Sequence, residues 1–280
     1  MDVDLNSLKL LGKGKLKDIY EWGPNELLFV FSDRVSAYDV ILPSLIPRKG
    51  EVLAAFASYF FNMLSLPNHM VRRIDRNKMI AKKLKMIPIE CIVRGYMYGS
   101  LYTRYQENPM GLPSGLRRAE ILPEPIFDPT TKSDKDVPIT MTEAVNTVVT
   151  NKEYEFLREA SLSLYGEISH YAEKADFIMA DIKIEFGKDA DGKIILADSI
   201  GPDEFRLWPR AKYQVGALQE SFDKQPVRDW LSSIGYKAEL DKALKMGSTI
   251  PEPPVVPQEL ISTLTGRYVE AYQQITGLTL

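Results

Sequence analysis

The sequence is nearly empty of the residues that build metal cages and redox pairs. One cysteine (Cys91) and two histidines (His69 and His170) stand among 280 residues. That excludes an intrachain disulfide, a cysteine-based zinc site and a multi-histidine centre. Long apolar runs are also missing. The longest, Val52 to Phe61, is interrupted by Ser58 and closed by Asn62, well short of the ~20 residues that a membrane span needs. It reads as a buried core helix. Positive charge is not in excess: 35 Lys and Arg against 38 Asp and Glu leave a net charge of −3, so no nucleic-acid partner is expected. The opening MDVDLNSL is acidic and lacks the basic and apolar regions of a signal peptide. The expectation is a soluble, cytoplasmic protein without a membrane partner. Its chemistry must run on carboxylates, Lys, Arg, hydroxyls and backbone.

What is present is an ordinary globular composition, 45% hydrophobic and 26% charged. The length predicts one large domain or two packed lobes. Short strands are expected at Leu8–Leu11, Lys17–Trp22 and Leu27–Phe31, separated by GKGK and a Gly23-Pro24-Asn25 turn. A helix over Glu51–Leu66 precedes two more strands, Met79–Leu84 and Ile87–Val93. The basic run Arg72 to Lys85 reads as an alternating edge strand with its turn. Six of the 18 prolines fall between Pro109 and Pro138, which predicts a long loop. Helical periodicity then takes over. Thr140 and Glu143 form a capping box, and Asn151 is the expected N-cap of a longer helix that places Leu157, Leu164 and Ile168 on one face. Pro226–Ile234 and Gln258–Ile275 read as helices joined by the extended PEPPVVP. Strands followed by helices, without strict alternation, predict an α+β fold of two lobes, divided into residues 1–87 and 88–280.

The stretch FIMADIKIEFGKDADGKIILADSIGPD carries the clearest chemistry. Asp181, Lys183 and Glu185 alternate with Ile182, Ile184 and Phe186 and so share one strand face. A two-residue turn at Asp191-Gly192 makes Glu185 face Asp198 across a hairpin. Like charges there repel, and a hard divalent cation such as Mg²⁺ would offset the repulsion. A solvated strand face balanced by Lys183 is the alternative.

Gly12-Lys13-Gly14-Lys15-Leu16-Lys17 lies between two strands, with glycines that allow close backbone approach and three lysines to neutralise phosphate. It lacks the Walker spacing, and a nucleotide-covering hairpin is the nearer analogue. A plain solvated turn is the competing reading. Further polar islands, Ser32–Asp39, Arg94–Ser100 and Asp203–Trp208, sit at strand ends and point to one shared cleft. His69 and His170 read as surface or helix-face residues without chemistry, and Cys91 as core.

These residues resemble the SAICAR synthetase (phosphoribosylaminoimidazole-succinocarboxamide synthase) family along nearly the whole chain. The matching pieces are GKGKLKDIYE, SDRVSAYD, IPRKGEVL, IPIECIVRGYMYGS, KSDKDVPIT, ADIKIEFG, SFDKQPVRDWL and RYVEAYQQITG. The resemblance implies a two-lobed fold related to ATP-grasp and kinase architectures, with antiparallel sheets and flanking helices. It implies a homo-oligomer and an ATP-dependent ligase of purine biosynthesis, joining L-aspartate to the carboxylate of carboxyaminoimidazole ribonucleotide (CAIR). By motif, Gly12, Lys13, Gly14 and Lys15 are expected on the ATP phosphates, and Lys83 and Met86 in an adenine-contacting hinge. Glu185 and Asp198 are expected to hold Mg²⁺, with Asp181 and Lys183 beside the reacting carboxylate and phosphoryl group. Arg94, Ser100 and Arg206 are expected on the ribonucleotide and its 5′-phosphate. Asp136, Ser36 and Asp39 would place the imidazole or the incoming aspartate. The sequence departs from the family pattern at Ser199, where many relatives carry Glu, and at Pro226. A kinase-like phosphotransferase and a nucleotide-binding module without activity are the rival readings. The missing His-Arg before Asp181 counts against the first, and the retained Lys, Glu and Asp set against the second.

Overall fold

The computed structural model describes residues 3–132 and 136–280. In chain order the elements are β1 (Leu10–Lys13), β2 (Lys17–Gly23), β3 (Glu26–Phe31), β4 (Arg34–Ala37), β5 (Val40–Leu45), α1 (Lys49–Met63), β6 (Met70–Asp75) and β7 (Lys78–Lys82). Then follow β8 (Lys85–Met86), β9 (Ile89–Tyr96), α2 (Gly99–Glu107), β10 (Ile121–Phe127), β11 (Thr130–Thr131), α3 (Met141–Thr147) and α4 (Asn151–Lys174). The chain ends with β12 (Phe177–Lys188), β13 (Ile194–Ala197), β14 (Phe205–Pro209), α5 (Gln225–Ser233), α6 (Tyr236–Met246) and α7 (Gln258–Thr276). This is the expected α+β mixture. No helix among the described residues is long and apolar enough to cross a membrane.

The contacts form two compact units, but not by one cut at residue 87. The first comprises the chain up to Tyr59, Met70–Lys82 and Ser221–Leu280; the second comprises Phe60–His69 and Lys83–Glu220. The C-terminal helices belong to the first unit because they complete its core. Val227 and Leu231 of α5, Tyr236 and Leu240 of α6, and Ile261 and Leu264 of α7 pack with Val35, Ala37, Leu42 and Ile46. That unit holds a five-stranded antiparallel sheet in the order β1-β2-β3-β7-β6 and the small β4-β5 hairpin. The basic run is only partly the expected edge strand: Arg72–Asp75 lie on the edge strand β6, but Lys78–Lys82 form β7, which pairs with β3 and β6 on its two sides. After its first turn α1 is apolar all round, and Val52 through Ala57 are almost fully buried, as such a helix must be.

The second unit is a seven-stranded sheet with the path β10-β9-β12-β13, to which β8, β11 and β14 add. Alternation along β12 is as expected: Ile182, Ile184 and Phe186 are buried in the core. Thr140 and Thr150 each cap a helix through a reciprocal box with Glu143 and Glu153, so the cap of α4 lies one residue before the expected Asn151. The proline-rich stretch is not simply a loop. It contributes β10 and β11, and Pro123 and Pro125 are tolerated because β10 is an edge strand whose register is interrupted between Ile121 and Ile126. Helix α2 is a second departure, discussed below with the residues it carries.

β9 and α4 come close together at Gly95. A Cβ built there would lie 1.9 Å from the Tyr165 hydroxyl oxygen, which itself donates to the Met179 carbonyl at 2.8 Å. Gly95→Ala should therefore destabilise the protein by about 1–3 kcal/mol through overpacking. Urea unfolding of Gly95→Ala with and without Tyr165→Phe should show a smaller penalty for the alanine in the phenylalanine background. Equal penalties in both would refute the clash.

Candidate active site

The site residues on β12 are set by its neighbours in the sheet. Asp181 pairs with Arg94 of β9 on one side and Arg206 of β14 on the other. Both guanidiniums reach its Oδ2, Arg94 Nη1 at 3.3 Å and Arg206 through a short contact. Arg94 is 3% exposed. It also donates from Nε to Asp128 at 2.6 Å and from Nη2 to the Ser100 hydroxyl at 3.0 Å. Three of its five donors are committed in this way.

Ser100 lies in the first turn of α2. The sequence reading marks this segment only as a polar island at a strand end; the structure starts a helix there, with Tyr98 at the N-cap and no side-chain cap bond. Gly99 is required twice over. Its φ is +60°, and a Cβ would come within 2.9 Å of the Arg206 guanidinium. Helix N–H groups, a serine hydroxyl and two arginines thus converge, which is the chemistry of an anion site. Asp128 was not anticipated. It accepts from Arg94 and, at 2.5 Å, from Arg104 of α2. Burial raises its pKa, but the two guanidiniums outweigh burial and hold it below the usual carboxylate range.

Two residues further along β12, Lys183 donates to Glu185 at 2.7 Å and lies 3.4 Å from Glu90. Glu185 is 4% exposed and also takes the ammonium of Lys132. Burial works against the Lys183 charge, yet Glu185, Asp198, Glu90 and Glu204 together raise its pKa well above the ordinary lysine value. Glu90, Glu204 and Lys132 carried no assigned role in the sequence reading. Each lies in a stretch marked as polar or motif-bearing, but only the fold shows that they gather around Lys183 and Glu185.

The predicted Glu185–Asp198 pairing is corrected by the register: Glu185 faces Ala197. The turn holds three residues, not two. Asp189 donates its N–H to the Lys193 carbonyl and accepts from Gly192 N–H, both at 3.0 Å. Gly192 is left-handed at φ 78°, and the Asp189 carboxylate secures Asp191 N–H and Lys193 N–H. One extra loop residue shifts the ladder by one. Asp198 falls just past β13 and turns the chain at φ 62°, which brings its charge to Lys183 by a different route. The Ser199 hydroxyl, at the position that departs from the family, donates to the Glu204 carboxylate at 3.3 Å. Among the described residues no three His, Cys, Asp or Glu side chains converge as a ready-made metal cage.

Other expected residues are spread more widely. Met86 of β8 pairs with Gly187 of β12, and Lys83 lies exposed just before it. Asp136 is exposed with φ 41°, next to Ser133–Lys135, which fall outside the described residues. In the first unit, Gly12 and Lys13 end β1, and Gly14 N–H closes the hairpin on the Lys17 carbonyl at 2.9 Å. Lys15 pairs with Asp39. Lys17 does not share the exposure of its neighbours: it is buried, with its ammonium 5.1 Å and 5.5 Å from the Phe29 and Phe31 ring centres. Ser36 is buried in β4, and Tyr38-Asp39 form the left-handed turn into β5.

An arginine-lined anion site, a lysine held among acids and a Gly/Lys hairpin are parts of an enzyme that handles nucleotide phosphates. The SAICAR synthetase family model matches residues 10–243. A phosphoribosylaminoimidazole-succinocarboxamide synthase of Nitrosopumilus maritimus is 48% identical, over 98% of this chain and all of its own length. Among solved structures, the SAICAR synthase of Saccharomyces cerevisiae complexed with SAICAR matches with a TM-score of 0.84 and 33% identity, covering 100% of this chain and 99% of that one. A type-2 SAICAR synthetase in complex with ADP matches with a TM-score of 0.74 and 27% identity, over 96% and 98% of the two chains. The chain belongs to the SAICAR synthetase family, and it is accordingly an enzyme, a ligase of purine biosynthesis.

The depressed Asp128 pKa makes a signed prediction. A group of this kind stabilises the fold above its unfolded pKa and loses that contribution as pH falls through its folded one. Asp128→Asn should cost about 2 kcal/mol at pH 7. The difference from wild type should shrink below about pH 4, the ordinary carboxylate range. Urea unfolding at neutral and acid pH measures it, and a pH-independent difference would contradict the ion-pair account.

Proposed function

We propose that the protein joins L-aspartate to the carboxylate of CAIR, converting ATP to ADP and phosphate. The observation that carries this reading is the charged face of β12. Asp181, clasped by Arg94 and Arg206 beside Ser100, and Glu185, held by Lys183, lie four residues apart on one face. That spacing spans about 13 Å of strand, room for a ribonucleotide lying along it. Its 5′-phosphate would take the remaining donors of Arg94, with Arg206, Ser100 and the start of α2. Its carboxylate would then lie toward Lys183.

A carboxylate is a poor electrophile because its oxygen leaves badly. In the proposed first step a carboxylate oxygen attacks the γ-phosphorus of ATP and ADP departs, leaving an acyl phosphate. The aspartate amine then attacks the acyl carbon, the carbon–oxygen bond to phosphate breaks, and the amine gives up a proton. Lys183 is assigned to neutralise charge on the reacting oxygens. Asp181 is assigned to hold the two arginines, a different duty from its expected place at the reacting carboxylate. Gly12, Lys13, Gly14 and Lys15 are assigned to the ATP phosphates, Lys83 and Met86 to the adenine, and Ser36, Asp39 and Asp136 to the imidazole or the aspartate.

Mg²⁺ fits the donor set. Glu185 and Asp198 offer hard oxygen ligands, and the four acids acting on Lys183 outnumber the lysines among them. One or two carboxylates with nucleotide phosphates are the usual ligands of this ion. When bound it would supply charge neutralisation at the transferring phosphoryl group.

The test is an assay of ADP release. It should require CAIR and L-aspartate together, and ADP formed equally well with a simple hydroxyl acceptor would overturn the ligase chemistry. Glu185→Gln should lower kcat by about 100-fold or more while far-UV circular dichroism is retained. Wild-type turnover in that variant would remove Glu185 from the site.

A further inference from the structure

His69 is a buried histidine that the chemistry above does not use, and the sequence reading placed it at the surface or on a helix face. It is 2% exposed. Its backbone N–H donates to the Leu196 carbonyl, and Leu196 N–H donates to the Pro67 carbonyl, both at 3.0 Å. Asn68 and Leu196 form an isolated parallel bridge, so Pro67–His69 is held against β13. Asn68 ties this segment to the last turns of α1 by donating to the Phe61 carbonyl at 2.7 Å. The imidazole meets the Phe61 ring edge-on, with centroids 5.4 Å apart. Its Nε2 lies 3.1 Å from the backbone carbonyl oxygen of Asp198. A carbonyl oxygen only accepts, so the bond fixes a proton on Nε2.

Asp198 is where β13 ends and the backbone enters the left-handed region, a conformation that persists in a non-glycine residue only when its surroundings hold it. The orientation of the Asp198 peptide decides where its carboxylate points, and that carboxylate acts on Lys183. We infer that His69 is a positioning residue: its Nε2–H holds the Asp198 carbonyl and thereby aims the Asp198 carboxylate at the metal–nucleotide site. The inference rests on the reading of Asp198 as a metal ligand given above. It assigns to a histidine the orienting duty that outer hydrogen bonds perform around many metal ligands, here through the ligand's backbone.

Hydrogen bonding and packing are separable at this position. His69→Gln keeps an N–H donor at similar reach and loses the ring. His69→Phe keeps an aromatic ring against Phe61 and loses the donor. The probe is Mn²⁺ with ADP on the full chain, with free Mn²⁺ followed by electron paramagnetic resonance. The glutamine variant should bind Mn²⁺ as wild type does, even if its melting temperature falls. The phenylalanine variant should bind it about tenfold more weakly, with the affinity for metal-free ADP unchanged. His69→Leu serves as the donor-free arm should the phenylalanine variant not fold. Wild-type Mn²⁺ affinity in a donor-free variant, or an equal loss in the glutamine variant, would overturn the inference. Asp198→Asn is measured alongside. If it leaves Mn²⁺ binding intact, Asp198 is no ligand, and the underlying reading fails rather than the hydrogen-bond argument alone.

Discussion

Three ionisable side chains on one buried strand face are the constraint under which the second unit is built. β12 cannot slip to relieve them. Its other face carries Ile182, Ile184 and Phe186, at 0%, 1% and 0% exposure, and a one-residue shift would exchange core for charge at every position. Asp181 and Glu185 must therefore be neutralised where they stand. The sheet does this by register: an arginine lies opposite Asp181 on each flanking strand, while Lys183 and Lys132 close on Glu185. The bulge between Met179 and Asp181 in the β14 ladder is part of that arrangement, since it sets which residue of β14 stands beside Asp181.

Such pairs are not a route to stability. Taking charges out of water costs several kcal/mol per ion, and apolar replacements of equal volume are often neutral or stabilising. Arg94 illustrates what is gained instead. Its guanidinium is fixed by Asp128, Asp181 and Ser100 from three directions, so its plane is set before any ligand arrives. Arg104 shares Asp128, which makes the group a network whose members will not contribute additively. Preorganised donors of this kind bind an anion without first losing side-chain freedom.

Much of this was legible beforehand because it depends on local periodicity. The alternation of Asp181, Lys183 and Glu185 and the Thr140 capping box are both short-range patterns. What failed depended on one residue more or less, or on distant partners. The Asp191-Gly192 dipeptide is a strong hairpin signal, yet Asp189 can use its carboxylate to hold two N–H groups, and that favours a three-residue loop. The proline-rich stretch hid β10 because prolines read as loop unless the strand is known to be an edge. His69 looked superficial since nothing in PNHM announces that Leu196 and Asp198 will come to it. The C-terminal helices joined the first unit through apolar contacts with Val35 to Ile46, a partnership that sequence distance conceals.

The same strand also sorts charge along its length. Around Asp181 three arginines meet two aspartates, Asp128 and Asp181, a local excess of one positive charge. Around Lys183, four acids act against Lys183 and Lys132, an excess of two negative charges. A net charge of −3 for the whole chain conceals this polarity. On the proposed function, the first end would suit the substrate's anionic phosphate and the second a metal-bound nucleotide. In a partly buried site such fields are weakly screened, so under the proposed function the electrostatics would orient a phosphorylated substrate along β12 before shape is consulted. Reversing that orientation would require exchanging charge at both ends, because correcting one end leaves the other opposing it.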